Sequence, residues 1–171
     1  MTVARLLLGV LLATGLYAAL LAAVPSVGQA IDPFLVVVVW FALARPPLGA
    51  MTAGMLVGLC HDVFSGRPFG LHGFADTVVG YLVARFAEQF LVRQPRALAL
   101  VFGLSVAVQQ ALIAALQLLL VPFAEVAGPA HVAARVGAST LLGLLWVRAE
   151  ELLRGRVASW RRSRASRLRL G

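Results

Sequence analysis

Two uncharged stretches decide the fold: LLLGVLLATGLYAALLAAV at residues 6–24 and ALALVFGLSVAVQQALIAALQLLLV at residues 97–121. Neither contains a charged residue, a histidine or a proline. An α-helix rises about 1.5 Å per residue, so each stretch can cross the roughly 30 Å hydrocarbon layer of a bilayer. The chain has 171 residues, of which 61% are hydrophobic, and its mean hydropathy is +0.92. A soluble domain of this size cannot bury two such helices, so the sequence predicts an all-α, polytopic membrane protein.

The net charge of +8 is distributed as topology signals are, and not as a nucleic-acid site is. All 15 basic residues are Arg; they flank the apolar segments and concentrate at the C-terminus. This pattern is typical of membrane orientation signals and of contact with anionic lipid, so we expect no nucleic acid as a partner. The single Cys60 excludes an internal disulfide and a cysteine-based metal site, and we expect it to be a small core residue.

Six apolar segments are separated by breaks that contain proline. Because proline lacks an amide hydrogen and disfavours helix in the residue before it, we expect each break to end a helix. The chain is then a six-span transmembrane domain, 1–153, followed by an Arg-rich tail, 154–171. The first segment resembles a signal peptide, but its length and the apolar segment that follows favour an uncleaved span. The six spans are expected near 4–24, 29–45, 48–65, 69–91, 96–121 and 130–152.

The orientation follows from the positions of the Arg residues. If the N-terminus is inside, twelve Arg residues lie on the inner side and only Arg67 lies outside. The positive-inside rule favours this arrangement, with both termini in the cytoplasm.

The third segment carries a stripe of small residues that ends in a carboxylate. Ala50, Gly54, Gly58 and Asp62 follow one another in four-residue steps and therefore share one helix face. Such a stripe lets two helix backbones approach closely. Two interpretations stay open here: tight packing within the chain, or a surface that receives the helix of a partner.

The hairpin between the third and fourth segments concentrates ionisable residues. Asp62 and His72 each lie five residues from Arg67, so we expect them at equal depth on two antiparallel helices. Asp76 shares a helix face with His72. A carboxylate in hydrocarbon needs a partner, and Arg67, His61 and His72 are within reach of both acids.

Three interpretations of this cluster compete: a buried hydrogen-bond network, a pocket for a small ligand or a proton, and a metal or catalytic centre. His72 and Asp76 have helical metal-ligand spacing, but no third ligand with a general base accompanies them. No nucleophile elbow, zinc-protease motif or phosphate-binding loop occurs in the sequence. We therefore expect no enzyme, no metal and no cofactor.

Polar side chains within the fifth and sixth segments are expected to bond between helices. Gln110 and Gln117 share a face, with Gln109 beside them, and mid-membrane amides usually bond to another helix. Arg135 is expected to reach the outer surface or to pair with Glu125 or Asp76.

Two further predictions concern the inner surface. Arg85 and Glu88 lie three residues apart and are expected to pair. The tail places Leu153, Val157 and Trp160 at helical spacing and is expected to form an interfacial helix on anionic lipid; a disordered topology anchor is the alternative. The tail residues expected to face lipid are Arg154, Arg156, Trp160, Arg161, Arg162 and Arg164.

Residues 45 to about 80 carry motifs that resemble one known family. Asp32-Pro33 opens an apolar run, Arg45-Pro46 follows, and then comes Gly54-x-x-x-Gly58-x-x-x-Asp62-x-x-Ser65-Gly66-x-Pro68-x-Gly70-Leu71-His72. This order resembles MreD, the bacterial rod shape-determining membrane protein. The length, the six apolar segments and the basic C-terminus are similar as well. His61 and Arg67 look specific to this sequence rather than part of the family motif, and no family role is assigned to them.

The resemblance implies a non-enzymatic subunit of the cell-elongation machinery that directs peptidoglycan synthesis. Proteins of this family work beside MreC, whose single transmembrane helix and periplasmic region lie next to them. The wider assembly includes the MreB filament, which the tail is a candidate to contact, with RodA and a penicillin-binding transpeptidase. Whether the chain also associates with a second copy of itself is left open by the sequence.

The family is also similar to the substrate-binding S-components of energy-coupling-factor transporters in its six-helix fold. That likeness implies the alternative function, a small-molecule-binding subunit of a transporter. S-components usually need a polar, aromatic-rich outer pocket closed by a sizeable loop, whereas this chain has two Tyr and short outer loops.

Overall fold

The computed structural model describes residues 3–65, 68–90, 94–120 and 127–167; beyond Leu153 it gives the helix backbone and the side chain of Arg156. The chain is all-helical in these ranges and forms no strand there. The helices are α1 (Val3–Ala23), α2 (Pro25–Ala30), α3 (Pro33–Ala42), α4 (Pro47–Ser65), α5 (Leu71–Gln89), α6 (Pro95–Leu120) and α7 (Pro129–Arg167).

Proline starts most of these helices. The first residue of a helix has no acceptor for its amide hydrogen, so proline at this position loses no hydrogen bond and presets the helical φ angle. Four of the five breaks expected from the sequence therefore coincide with helix starts; at the fifth, Pro68 precedes α5, which begins at Leu71. The prolines concerned are Pro25, Pro33, Pro47, Pro95 and Pro129.

The segment predicted as one helix over 29–45 is interrupted: α2 ends at Ala30, and a separate helix, α3, begins at Pro33 and ends at Ala42. Pro33 disfavours helix in Asp32, whose backbone leaves the helical region. The Asp32 carboxylate then caps α3 by accepting the backbone N–H of Leu35 at 2.9 Å. The prediction of one span over 29–45 is therefore wrong at Pro33, which begins a new helix.

The short helix α3 is the centre of the bundle. All ten of its residues are buried, and it packs against α1, α4, α5, α6 and α7. A helix that is apolar on every side is stable where other helices surround it, which explains the run Val36–Val39. Ten residues span about 15 Å, so α3 alone does not cross a bilayer.

Helices α4 and α5 pack with their backbones in contact. A Cβ atom added to Gly54 would overlap the carbonyl oxygen of Asp76, and one added to Gly58 would overlap that of His72. In the reverse direction, a Cβ on Gly80 would lie 2.6 Å from the carbonyl oxygen of Ala50. Glycine is therefore required on both sides of this interface.

Within the described part of the chain, four helices are long and apolar enough to cross a membrane: α1, α4, α6 and the part of α7 from Pro129 to Leu153. Their outward faces carry exposed leucines such as Leu11, Leu104 and Leu145, as expected of surfaces in contact with lipid. The six-span arrangement with cytoplasmic termini stays a prediction. Helix α7 continues to Arg167 without a break where the tail was expected to begin. The core position expected for Cys60 is wrong, since its side chain is exposed.

Candidate functional site

Polar side chains from five helices meet at one end of the bundle. This is the end where α3 and α5 begin and α4 ends, beside the middle of α6 and the first half of α7. The positive-inside rule predicts that it faces outward. Six buried residues form what we call the polar cluster: Asp32, His61, Asp76, Gln109, Arg135 and Ser139.

The Asp62 side chain, on the neighbouring helix α4, caps the N-terminus of α5. Its Oδ1 accepts the backbone N–H of His72 at 3.0 Å and lies 2.8 Å from His72 Nδ1. Its Oδ2 accepts the backbone N–H groups of Gly70 at 2.9 Å and Gly73 at 3.0 Å. Gly70 is the N-cap of α5, with φ at +99°, and has no side chain to satisfy these donors. The prediction that Asp62 and His72 lie at equal depth is confirmed.

Asp32 joins α3 to α6 and α7. Besides capping Leu35 through Oδ1, it accepts hydrogen bonds at Oδ2 from Arg135 Nη2 at 2.9 Å and Gln109 Nε2 at 3.0 Å. Its backbone N–H donates to Ser139 Oγ at 3.0 Å. Asp32 is fully buried, and removing one partner of a buried ion pair typically destabilises a protein by about 3–5 kcal/mol. This pair therefore ties the centre of the bundle to its last helix.

Gln109 bridges the two buried carboxylates. Its Nε2 donates to Asp76 Oδ1 at 2.8 Å as well as to Asp32, and its Oε1 accepts from Gln110 Nε2 at 3.3 Å. Arg135 also donates from Nη1 to the backbone oxygen of Gln29 at 3.1 Å. One amide and one guanidinium thus connect α3, α5, α6 and α7.

An aromatic layer covers the polar cluster on the side of α1. The His61 ring stacks on Phe34 with centroids 4.7 Å apart and contacts His72 at 4.0 Å. Tyr17 meets both Phe34 and His61 edge-on. His61 Nδ1 lies 3.7 Å from Asp32 Oδ1, which is too long for a hydrogen bond.

Three buried polar atoms in the polar cluster have no hydrogen-bond partner among the described residues: His61 Nδ1, Asp76 Oδ2 and Arg135 Nε. No group of three His, Cys, Asp or Glu residues suited to a metal ion occurs in the part of the chain that is described. Of the interpretations left open for the hairpin, the geometry fits a buried hydrogen-bond network. The unpartnered atoms keep a proton site open.

The partners expected for two charged residues are wrong. Arg135 pairs with Asp32 rather than reaching the outer surface or Asp76; Glu125 lies outside the described residues. Asp76 bonds to Gln109 rather than to His61 or His72. Arg67, the third expected partner, also lies outside the described residues, as does Gly66.

The small-residue stripe is occupied within the chain. Ala50, Gly54, Gly58 and Asp62 are all buried, and the two glycines face the backbone of α5. A partner helix would need this face to be exposed. The stripe therefore packs α4 on α5, and we do not propose it as a docking surface.

The other residues singled out from the sequence do not belong to the polar cluster. Ser65 Oγ donates to the backbone oxygen of Asp62 at 3.1 Å, and Pro68 is exposed. Gln117 is half-buried on α6. In the tail the side chain of Arg156 is exposed, and those of Arg154, Trp160, Arg161, Arg162 and Arg164 lie outside the described set.

Sequence reasoning did not identify Asp32 as a site residue, although its carboxylate joins α3 to α6 and α7. The available signal was Asp-Pro before an apolar run, which indicates an N-cap followed by proline at the first helical position. That signal predicts the bond to Leu35. It does not predict the contacts with Gln109 and Arg135, which lie 77 and 103 residues away in the chain.

The opposite end of the bundle carries a Trp–Glu hydrogen bond, a contact between two Trp rings and an Arg–Glu ion pair. Trp40 Nε1 donates to Glu150 Oε2 at 2.5 Å, and its ring contacts that of Trp146 edge-on. Arg85 Nη1 lies 2.8 Å from Glu88 Oε2, which confirms the predicted pair.

An open apolar groove of about 380 Å³ runs between α5 and α6. Its one polar residue, Ser105, donates its hydroxyl to the backbone oxygen of Val101 in its own helix at 2.6 Å. The groove therefore presents only apolar surface. It is lined by Val79, Leu82, Val83, Phe86, Ala97, Leu100, Val101, Leu104, Ser105 and Val108.

Comparison with protein-family models matches residues 2–154 to the family described as rod shape-determining protein MreD. The match covers the bundle and ends one residue after Leu153. No curated protein and no solved structure was found to match the chain.

Proposed function

Since the chain belongs to the MreD family of rod shape-determining membrane proteins, we propose that it binds and positions MreC in the cell-elongation machinery. In this role it is a non-enzymatic, multi-pass subunit of the bacterial cytoplasmic membrane. MreB, RodA and a penicillin-binding transpeptidase would be reached through the same assembly. The observation that carries the proposal is the family match over residues 2–154.

The geometry supports a structural role for the polar end. The Asp62 carboxylate joins α4 to α5, and the Asp32 carboxylate joins α3 to α6 and α7. Gln109 connects these two sets through Asp76, so hydrogen bonds within the chain link five helices. A rigid bundle of this kind can hold a partner in one conformation. The alternative, a transporter subunit that binds a small molecule, draws no support from this end, where the aromatic rings pack on buried histidine.

We further propose that the groove between α5 and α6 receives the transmembrane helix of MreC. Helices associate in lipid through van der Waals packing, and a groove with only apolar lining suits an apolar helix. Leu100 and Leu104 stand on its rim and are 65% and 63% exposed. The groove is thus proposed as the docking surface for a partner helix, a role for which the small-residue stripe was the candidate from the sequence.

Co-purification from membranes tests both levels of the proposal. Wild-type chain should retain MreC in mild detergent. Leu104→Trp should fill the groove and release MreC, whereas Leu141→Trp on α7 should retain it, because Leu141 is equally exposed at 63% but lies outside the groove.

Each outcome is informative. If the wild-type chain retains no MreC under conditions that preserve the fold, the proposed function is wrong. If both variants retain it, the function stands and the groove is not the docking site. A homodimer that forms without MreC and disappears in Leu104→Trp would assign the groove to self-association.

A further inference from the structure

Two fully buried carboxylates, Asp32 and Asp76, share a single amide donor and a single fixed positive charge. Gln109 Nε2 lies 3.0 Å from Asp32 Oδ2 and 2.8 Å from Asp76 Oδ1. The positive charge is Arg135, which is bound to Asp32. With both acids ionised, this group of side chains would hold one uncompensated negative charge. An isolated charge in an apolar interior is strongly unfavourable, and a buried group neutralises instead.

The surrounding groups do not supply the missing charge. From α4, His61 faces Asp32 at 3.7 Å without a hydrogen bond, and Asp62 adds a negative charge of its own. From α5, His72 is bound to Asp62. From α6, Gln109 and its neighbour Gln110 are neutral amides.

The hydrogen-bond pattern distinguishes the two acids. Both oxygens of Asp32 accept hydrogen bonds: Oδ1 from Leu35, and Oδ2 from Arg135 and Gln109. This is the environment of an ionised carboxylate. Asp76 Oδ1 accepts one bond, and Asp76 Oδ2 has no partner among the described residues. An added proton is therefore easiest to place on Asp76 Oδ2.

We propose that Asp76 is a proton-binding site, with its carboxyl group protonated on Oδ2 in the folded chain. The proton comes from water and makes the polar cluster electrically neutral around the Asp32–Arg135 pair. It also turns Asp76 Oδ2 into a donor. This inference is independent of MreC binding, because it depends only on contacts within the bundle.

The proposal makes opposite predictions for two chemically identical substitutions. Asn has the shape of a protonated Asp, so Asp76→Asn keeps an oxygen for Gln109 and a donor in place of Oδ2–H. At Asp32 the amide group of Asn would face Leu35, Arg135 or Gln109, all of which are donors. Asp76→Asn should therefore melt in detergent at the wild-type temperature, whereas Asp32→Asn should melt well below it.

Infrared spectroscopy of the full chain in detergent detects the proton directly. The carbonyl stretch of a protonated carboxylic acid should be present in the wild type and lost in Asp76→Asn. It should persist in Glu88→Gln, which removes an exposed acid, and in His61→Asn, which removes the other candidate proton carrier. The wild-type melting temperature should also fall more steeply with rising pH than that of Asp76→Asn, because only the wild type must keep this proton to stay folded.

Several results would overturn the proposal. One is the absence of the band from the wild type, and another is its persistence in Asp76→Asn. An Asp76→Asn chain that fails to fold, or melts as low as Asp32→Asn, would show that Asp76 is ionised. A melting temperature that rises with sodium or potassium but not with choline would assign the missing charge to a metal cation.

Discussion

Replacing Asp62 with asparagine tests whether one carboxylate holds the α4–α5 hairpin at the polar end. The two oxygens of Asp62 accept four hydrogen bonds, two on each side. Asparagine has one oxygen and one NH₂ group, so the NH₂ group must face two donors. Placed toward Gly70 and Gly73, it would leave two backbone N–H groups without an acceptor.

The less damaging orientation places the NH₂ group toward His72. The His72 ring can change tautomer and accept a hydrogen bond, but its backbone N–H then stays buried without an acceptor. Such a donor costs about 1–3 kcal/mol. Loss of a negative charge at the N-terminus of α5 removes about 0.3–1 kcal/mol more. We expect Asp62→Asn to lower the free energy of unfolding by roughly 1.3–4 kcal/mol.

Unfolding by titration with sodium dodecyl sulfate in mixed micelles measures this difference. Glu88→Gln is the matched control, since it breaks a pair in which both side chains are about half exposed and should change stability by less than about 1 kcal/mol. If Asp62→Asn unfolds at the same detergent fraction as the control, the carboxylate does not hold the hairpin. Should it fold normally, retain MreC and still fail to support cell shape, a chemical role for Asp62 becomes the better hypothesis.

Three further predictions concern packing, topology and lipid. Gly58→Ala should destabilise the chain by about 1–3 kcal/mol, because the new Cβ overlaps the carbonyl oxygen of His72. In the same titration, Gly137→Ala should be neutral or stabilising, because a Cβ at Gly137 would meet no atom within 4 Å. With Cys60 replaced by serine, cysteines at position 93 or 171 should resist an impermeant thiol reagent applied from outside, and one at position 127 should react; labelling at 171 would contradict six spans. Replacing the Arg residues at 154, 156, 161, 162 and 164 with Gln should weaken the binding of anionic lipid by about 1 kcal/mol per Arg, so less of it should be retained during purification. If mass spectrometry finds the lipid composition unchanged, the tail is only a topology anchor.

The helices themselves were largely predictable from the sequence, for local reasons. Apolar runs such as 6–24 and 97–121 favour helix in a membrane, because a helix satisfies its own backbone hydrogen bonds. Proline marks where a helix can begin, since its missing amide hydrogen is lost there without penalty. The Arg85–Glu88 pair was predictable too, because its residues are neighbours on one helix.

The contacts at the polar end of the bundle could be predicted only in part. The hairpin places Asp62 opposite His72 because a short connection makes two adjacent helices antiparallel, so their contact followed from the sequence. The partners of Arg135 and Asp76 did not follow, because both choices depend on helices that are distant in the chain.

By itself, the sequence determined the membrane class, the starts of most helices and the close backbone approach along Gly54 and Gly58. Only the tertiary structure decided that α3 lies at the centre, that α5 fills the glycine face, and that Asp32 connects three helices. The physical reason is the distance along the chain over which each interaction acts. Propensity and lipid partition act within one helix, whereas a buried polar side chain takes the partner that the packing of the whole bundle brings within about 3 Å.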